Sequence, residues 1–281
     1  MKTVFITGIT GNQGGAVAKH CLKLGHKIIG LTRNTNSEKA KFWEASGVQL
    51  VAGTLNDPTS YQSVLEAIDT TFLMQSLQKK EDEIKEGKTF IKAVANCPSV
   101  HLVYSSVLGS DLNTGVPHFD SKWELEKFIN NKKINATILR PASFYENHLH
   151  PQVSKSILKG KYVTPLNNDC IQQLIGVDDI GKIAAQVISH PDKYTGQVIA
   201  MATDQYKIGD IPGVFAKALN KPVKYSKLPG LLTRIFMGKD LYLMFKYMNK
   251  NNFIIVENIN ELREEFNIEG NFDQWVNAKF G

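Results

Sequence analysis

Thr3-Val-Phe-Ile-Thr-Gly8-Ile-Thr-Gly11-Asn-Gln-Gly14-Gly15-Ala-Val-Ala18 decides how this chain is read. An apolar run comes first, then a glycine turn of pattern GxxGxxG, then helical spacing. Residues 3–7 carry no charge and read as a strand buried on both faces. The glycines let the backbone turn tightly and come close to a phosphate. A helix N-terminus adds unpaired N–H groups and a partial positive charge. The stretch therefore predicts a cradle for a dinucleotide pyrophosphate. Tight helix–strand packing alone is the other reason for such glycines, but their place at the head of a βα series favours the cradle.

Outward from the turn, Val17, Cys21 and Leu24 share one helix face and Gly25 ends the helix. Lys27–Thr32 is a second strand, completing a βαβ unit in about 30 residues. The rhythm then repeats. Ser37 caps a helix to about residue 46, and 48–52 is a strand. Asp57-Pro58 is a cap with proline at the first helical position. Tyr61, Val64, Leu65 and Ile68 follow as an i, i+3, i+4, i+7 stripe. Strands are expected at 70–75, 101–106 and 135–140, with helices at about 81–96 and 120–131. The alternation predicts an α/β fold, a Rossmann-type doubly wound parallel sheet. A smaller, mostly helical C-terminal lobe is expected with it.

The expected division is a Rossmann domain of residues 1–145, to which 176–203 return, and a second lobe of 146–175 and 204–281. In the returning segment Val177 begins a helix to about Ser189 and 196–202 is a strand; in the second lobe 223–226 is a short one. Residues 228–248 are rich in Leu, Phe and Met and read as a lid over the reactive end of a cofactor.

Composition narrows the function classes. The chain has 281 residues, 42% apolar and 21% charged, with net charge +6. Its lysines are interleaved with acids, as in Lys79-Lys80-Glu81-Asp82-Glu83, a pattern of solvated helix faces. No basic stripe with aromatics appears, so nucleic acid is not an expected partner. No apolar run reaches the ~18 residues of a membrane span. Cys21, Cys97 and Cys170 are scattered and odd in number, which argues for reduced thiols in a cytoplasmic protein and against a metal site. Cys21 is expected to be buried.

Ligands of doubly wound sheets sit beyond the C-terminal strand ends. That rule nominates Gly8, Thr10, Gly11, Asn12, Gln13 and Gly14 of the turn, Arg33 and Asn34 after the second strand, and Gln75 and Ser76 after the fourth. It adds Ser105 and Ser106 after the fifth strand and Pro141–Asn147 after the sixth, including Pro141, Ser143 and Phe144. NAD binders place an acid about 20 residues past the glycines to hold the ribose diol. Here that window reads Leu31-Thr32-Arg33-Asn34-Thr35. An arginine there suits a 2′-phosphate, so NADP(H) is favoured over NAD(H).

Gly8–Gly15, Thr32-Arg33-Asn34 and Gly115-Val-Pro-His118-Phe-Asp-Ser-Lys122 resemble the NmrA-like branch of the atypical short-chain dehydrogenases/reductases. The resemblance spans nearly the whole chain. It implies a Rossmann domain with a smaller lobe, and either an NAD(P)H-dependent reductase of quinones, dyes or phenolics or an NADP-binding regulator. Ordinary members of the superfamily use Tyr-x-x-x-Lys, in which Tyr is the acid/base and Lys holds the nicotinamide ribose. Here Lys122 matches and His118 stands at the Tyr position. Lys122 is the expected cofactor and catalytic lysine. His118 or Tyr145 is the expected substitute acid, and His148 and His150 read as loop residues.

Lys122 is expected in the first turn of its helix, where a cation opposes the helix dipole by about 0.3–1 kcal/mol, with Glu126 as its i+4 partner. Asp57 matches a family acid near the adenine, although capping explains it fully. The family often has a further acid where Thr54 stands. Two functions remain open: reduction of a flat apolar acceptor such as a quinone or enone, or a redox sensor that signals through a protein partner, as monomer or homodimer. An S-adenosylmethionine domain is disfavoured by Arg33 and the glycine spacing.

Overall fold

A computed structural model describes residues 1–76 and 78–281. In chain order the elements are β1 (Thr3–Ile6), α1 (Asn12–Lys23), β2 (Lys27–Thr32), α2 (Glu38–Ala45), β3 (Gln49–Ala52), α3 (Gln62–Leu65), β4 (Thr70–Leu73), α4 (Lys80–Ala95), β5 (His101–Ser105), α5 (Pro117–Asn131) and β6 (Ala136–Pro141). They continue as β7 (Ser143–Phe144), α6 (Pro151–Leu158), β8 (Lys161–Thr164), β9 (Ile171–Ile175), α7 (Val177–Ser189), α8 (Pro191–Tyr194) and β10 (Val198–Met201). The last are β11 (Asp204–Lys207), α9 (Ile211–Ala218), β12 (Lys224–Lys227), α10 (Gly230–Lys250), α11 (Ile259–Glu265) and α12 (Phe272–Phe280).

The chain forms two compact units. The first holds Met1–Leu112, Pro117–Arg140 and Val177–Ile199; the second holds Asn113–Val116, Pro141–Gly176 and Ala200–Gly281.

The main sheet has seven strands in the order β10-β6-β5-β4-β1-β2-β3. The five pairs from β6 to β3 are parallel, as the alternating sequence predicts. Side chains alternate across the sheet. Phe5, Leu73, Leu102, Tyr104 and Ile138 point into one core layer with Tyr61, Leu65, Phe90, Ile91 and Leu125. On the other face Val17 and Cys21 of α1 and Ile180, Ile183 and Ala184 of α7 are fully buried. Gly181 lets those two helices touch: a Cβ there would lie 2.6 Å from the Ala16 carbonyl carbon.

Strand order reverses between β1 and β4. Thr7 fastens the two strand ends. Its Oγ1 donates to the Met74 carbonyl at 3.0 Å and accepts from the Met74 N–H at 2.9 Å. The glycine turn thus leaves the sheet at its topological switch point, where such sheets bind ligands.

Some local expectations shift. Leu24 caps α1 and is 53% exposed, because the helix ends before its side chain can turn inward. Asp57 accepts from the Thr59 N–H at 3.2 Å, so it caps as read. The element it caps is only a 3₁₀ turn, Pro58–Ser60, followed by the four-residue α3.

The second unit is mixed, with more helix than strand. It holds a three-stranded sheet, β11-β9-β7, and the pair β12-β8. β11 was not anticipated: Asp204–Lys207 pairs antiparallel with β9, and its alternating exposure carries a weak apolar signal. α10 is broken at Gly238, whose φ of 84° no helix contains. Leu231, Ile235 and Phe236, in its first half, are exposed at 72%, 64% and 74%.

Candidate active site

The glycine turn has strict backbone demands. Gly8 lies at φ 63°, the left-handed region that glycine enters without strain. Its carbonyl accepts from the Gly11 N–H at 2.8 Å. A Cβ at Gly14 would stand 2.4 Å from the Gly8 oxygen. Close packing therefore explains Gly14 whether or not a ligand is bound. Packing does not explain the open helix end: no side chain caps α1 at Gly11, so first-turn N–H groups face outward unclaimed by a side chain. Gln13 is tied to the end of β5, its Oε1 accepting from Ser105 Oγ at 2.7 Å.

Beside the turn lies a cavity of about 440 Å³, lined by Thr10, Gly11, Asn12, Gly15 and, from α2, Glu38, Lys39, Phe42 and Trp43. Arg33 is exposed at the end of β2 and has no ion-pair partner among the described residues. Asn34 shapes the loop instead of reaching outward: its Oδ1 accepts from the Asn36 N–H at 2.9 Å.

Lys122 departs most from expectation. α5 begins at Pro117, so Lys122 lies in the second turn and the expected first-turn dipole cost does not arise. The proline is the start signal, since its missing N–H and fixed φ suit the first helical position. Lys122 is 4% exposed and does not pair with Glu126. Its Nζ lies 2.8 Å from Glu83 Oε1 on α4 and 5.5 Å from the Tyr104 ring centroid. That approach is within ion-pair distance but outside good hydrogen-bond alignment, which leaves Glu83 Oε1 without an aligned donor. The second carboxylate oxygen, Oε2, faces His118 Nδ1 at 3.5 Å and accepts from Ser121 Oγ. Ser121 Oγ also lies 2.8 Å from the His118 carbonyl. Gln75, expected at a ligand, is buried and donates through Nε2 to the Glu83 carbonyl at 2.7 Å. Ser76, one residue on, is exposed.

Glu83 is fully buried. Burial alone would push its carboxyl up, but the His118 hydrogen bond and the Lys122 charge outweigh burial and hold it at about 2. The expected solvated face of the 79–83 run is correct for Glu81 and Asp82, which are exposed, and wrong for Glu83. The signal was present. Glu83, Gly87, Phe90, Ile91 and Val94 are all buried on α4, the i, i+4, i+7, i+8, i+11 stripe of one helix face. A Cβ at Gly87 would meet Leu125 Cδ1 at 2.5 Å, so α4 and α5 press together beside this cluster.

Glu126 belongs to a separate network. It accepts from Ser106 Oγ, from Ser110 Oγ at 2.7 Å and from Arg140 Nη2 at 2.6 Å. Arg140 also reaches Asp111 at 2.6 Å. Ser106 is thereby used internally.

Pro141, Ser143, Phe144 and Tyr145 are carried by the second unit. Ser143 and Phe144 form β7 against Leu174 and Ile175. Tyr145 does not come forward as a proton donor. It is 2% exposed, and its hydroxyl is engaged by Thr203 Oγ1 at 2.9 Å and by the Asp204 carboxylate. His148 is not the expected loop residue. It is buried among Tyr145, Tyr162, Phe215 and Phe272, with Nδ1 2.9 Å from the Tyr145 carbonyl. Burial pushes it down to about 4. His150 is exposed. Cys21, Cys97 and Cys170 are free and buried, and burial raises the Cys21 thiol to about 12. Among the described residues no group of three or more His, Cys, Asp or Glu is placed to hold a metal, and no helix is long and apolar enough to cross a membrane.

Known proteins share this architecture. The NADPH-dependent quinone oxidoreductase QOR2 of Escherichia coli, solved with NADPH, superposes with TM-score 0.85 at 20% identity over 99% of this chain and all of that one. NmrA, a negative transcriptional regulator solved with NADP, superposes with TM-score 0.78 at 18% identity over 99% and 95%. In sequence, the NmrA-like family domain-containing oxidoreductase himF of Aspergillus japonicus is 27% identical over 266 residues, 86% of this chain and 80% of that protein. The model of the NmrA-like family matches residues 1–270, and the chain belongs to that family.

Proposed function

We propose that this protein binds NADP(H) and works as an NADPH-dependent reductase of a flat apolar acceptor such as a quinone or enone. The residues fit the cofactor. The uncapped start of α1 offers N–H groups to a pyrophosphate. The close approach of Gly14 to Gly8 keeps side chains out of the turn. Arg33 is an exposed guanidinium at the position that discriminates a 2′-phosphate, where a charge-assisted contact contributes about 1.5–3 kcal/mol. Lys122 is the residue for the nicotinamide ribose. Once bound, the nicotinamide supplies the hydride. The chain's own residues orient the reactants and hold a proton.

The observation that carries the reductase reading is the buried Glu83–Lys122–His118 cluster. Replacing a buried ion pair by apolar residues is often neutral or stabilising, so fold stability alone does not call for these charges. His118, with a side chain 26% exposed, carries the proton that the usual tyrosine would give. A quinone needs only a weak acid. The exposed Leu231, Ile235 and Phe236 of α10 offer an apolar surface of the kind such an acceptor uses.

One observation favours a second reading. Histidine in place of the tyrosine suits an NADP(H) sensor that acts through a protein partner, and the similar NmrA is a negative transcriptional regulator solved with NADP. Titration with NADPH and NADH, followed by NADPH oxidation against a quinone panel, separates the two. The reductase reading expects tighter NADPH than NADH binding and turnover on at least one quinone. Tight NADPH binding without turnover on any acceptor leaves the sensor. Equal NADH affinity, unchanged in Arg33→Ala, overturns the cofactor preference.

A further inference from the structure

We propose that Glu83 is the positioning residue of this site: its buried carboxylate locks His118 as the tautomer protonated at Nδ1, turning Nε2 outward as the nitrogen that exchanges a proton with the acceptor. The proposal rests on the reductase reading for its purpose, but not for its test.

The two carboxylate oxygens divide their work. Oε1 faces Lys122 Nζ at 2.8 Å, and Oε2 faces His118 Nδ1 at 3.5 Å. Nδ1 is buried and, among the described residues, has no aligned hydrogen bond, the Glu83 carboxylate at ion-pair distance being the group it faces. The side chain is 26% exposed, which leaves Nε2 as the nitrogen free to reach outward. A carboxylate accepts hydrogen bonds and cannot donate one when ionised, and Glu83 is ionised throughout the neutral range. It therefore selects the proton on Nδ1. The charged and titratable groups facing the imidazole are few. Glu83 comes from α4, Lys122 lies on its own helix, and Tyr104 of β5 lies beneath the ammonium. The Lys80–Asp120 ion pair, at 3.1 Å, joins α4 to α5 nearby.

Glu83 is itself held. Gln75 grips its carbonyl and Ser121 its Oε2, while Gly87 lets α5 close on α4 one turn along. The arrangement follows the general logic by which a carboxylate on one imidazole nitrogen holds the proton on that nitrogen, leaves the other free to exchange one, and stabilises the imidazolium. Two-electron reduction of a quinone takes up one hydride and one proton. The hydride comes from the reduced nicotinamide, the proton leaves the imidazolium at Nε2, and water returns it.

The test reads the imidazole in the protein without cofactor. ¹⁵N NMR with long-range ¹H–¹⁵N correlation reports the tautomer of each neutral histidine, and His118 is identified by its loss in His118→Asn. The wild type is expected to show the Nδ1–H form for His118. Glu83→Leu alone strands the buried Lys122 charge and puts folding at risk, so it is paired with Lys122→Met, which removes both charges together. In that double variant the free-imidazole preference for Nε2–H should return. An Nε2–H tautomer in the wild type, or an unchanged Nδ1–H tautomer in the double variant, overturns the proposal. A wild type that shows Nδ1–H but turns over no acceptor overturns the reductase reading and leaves the positioning role standing.

Discussion

Two buried polar clusters, one in each unit, handle titratable groups in opposite ways. In the first unit Glu83, Lys122 and His118 are brought within ion-pair distance, and the carboxyl is driven down to about 2. In the second, His148 lies among aromatic rings with carbonyl and hydroxyl neighbours, and burial holds it neutral to about 4. The hydroxyl of Tyr145 beside it donates to the Asp204 carboxylate and lies against Thr203 Oγ1. The first cluster stores charge that packing does not require; the second removes charge to pack. The contrast points to the first for proton chemistry and assigns the histidine and tyrosine of the second to the core.

The largest effect expected comes from breaking the charged cluster on one side. Glu83→Leu leaves the Lys122 ammonium buried without its partner, a loss of about 3–5 kcal/mol. Adding Lys122→Met should recover most of it. Urea unfolding of the two single variants and the double gives the coupling directly, and additive losses would mean that the two side chains do not interact.

Next is the acid limb of stability, where the clusters should act in different pH ranges. His148 is held at about 4 in the folded protein against an ordinary value of about 6.5, and His101, buried in the first unit, behaves alike. Between those values the unfolded chain binds a proton that the folded one refuses, so stability falls as pH falls. Each histidine contributes up to about 1.4 kcal/mol per pH unit, on the order of 3 kcal/mol over the range. Glu83 is shifted in the same direction but in a lower range: its contribution is complete above about 4.5 and is lost as pH falls through about 2. Stability lost between pH 6.5 and 4.5 therefore belongs to histidines. Urea midpoints across that range should fall less steeply in His148→Phe than in the wild type, and an unchanged slope would remove His148 from the account.

Smaller effects are expected at the cofactor end of the first unit. Arg33→Ala should weaken NADPH by about 1.5–3 kcal/mol and leave NADH nearly unchanged, read by two titrations. Gly14→Ala forces a Cβ against the Gly8 carbonyl. It should cost about 1–3 kcal/mol of stability, seen in the thermal midpoint even without cofactor. A variant as stable as the wild type would show that the turn has room to relax.

Much of the first unit was legible because its signals are local. Thr3–Ile6, Lys27–Thr32 and His101–Ser105 are apolar runs bounded by turn residues, and Ser37 is a cap that also appears in the structure. Arg33 could be singled out by its distance from the glycines alone. Glu83 could not be read from its neighbours, because a charged run looks solvated until the stripe through Gly87, Phe90 and Val94 is followed back to it. Pro117 marks the start of α5, ahead of the expected start near Asp120, and this moves Lys122 from the first turn to the second. Tyr145 reads as a candidate acid and His148 as a loop residue because the rings that bury them, Phe215, Phe272 and Trp275, arrive from far along the chain. Such packing is nonlocal and leaves no periodic mark near residue 145.

The most direct test of the central claim is steady-state NADPH oxidation with a quinone acceptor, wild type against Lys122→Met, with NADPH affinity measured separately by fluorescence titration. The account predicts turnover in the wild type and a loss of kcat of about 100-fold or more in the variant, beyond any change in NADPH affinity. A wild type that binds NADPH tightly and reduces no quinone, or a variant that turns over like the wild type, would contradict it.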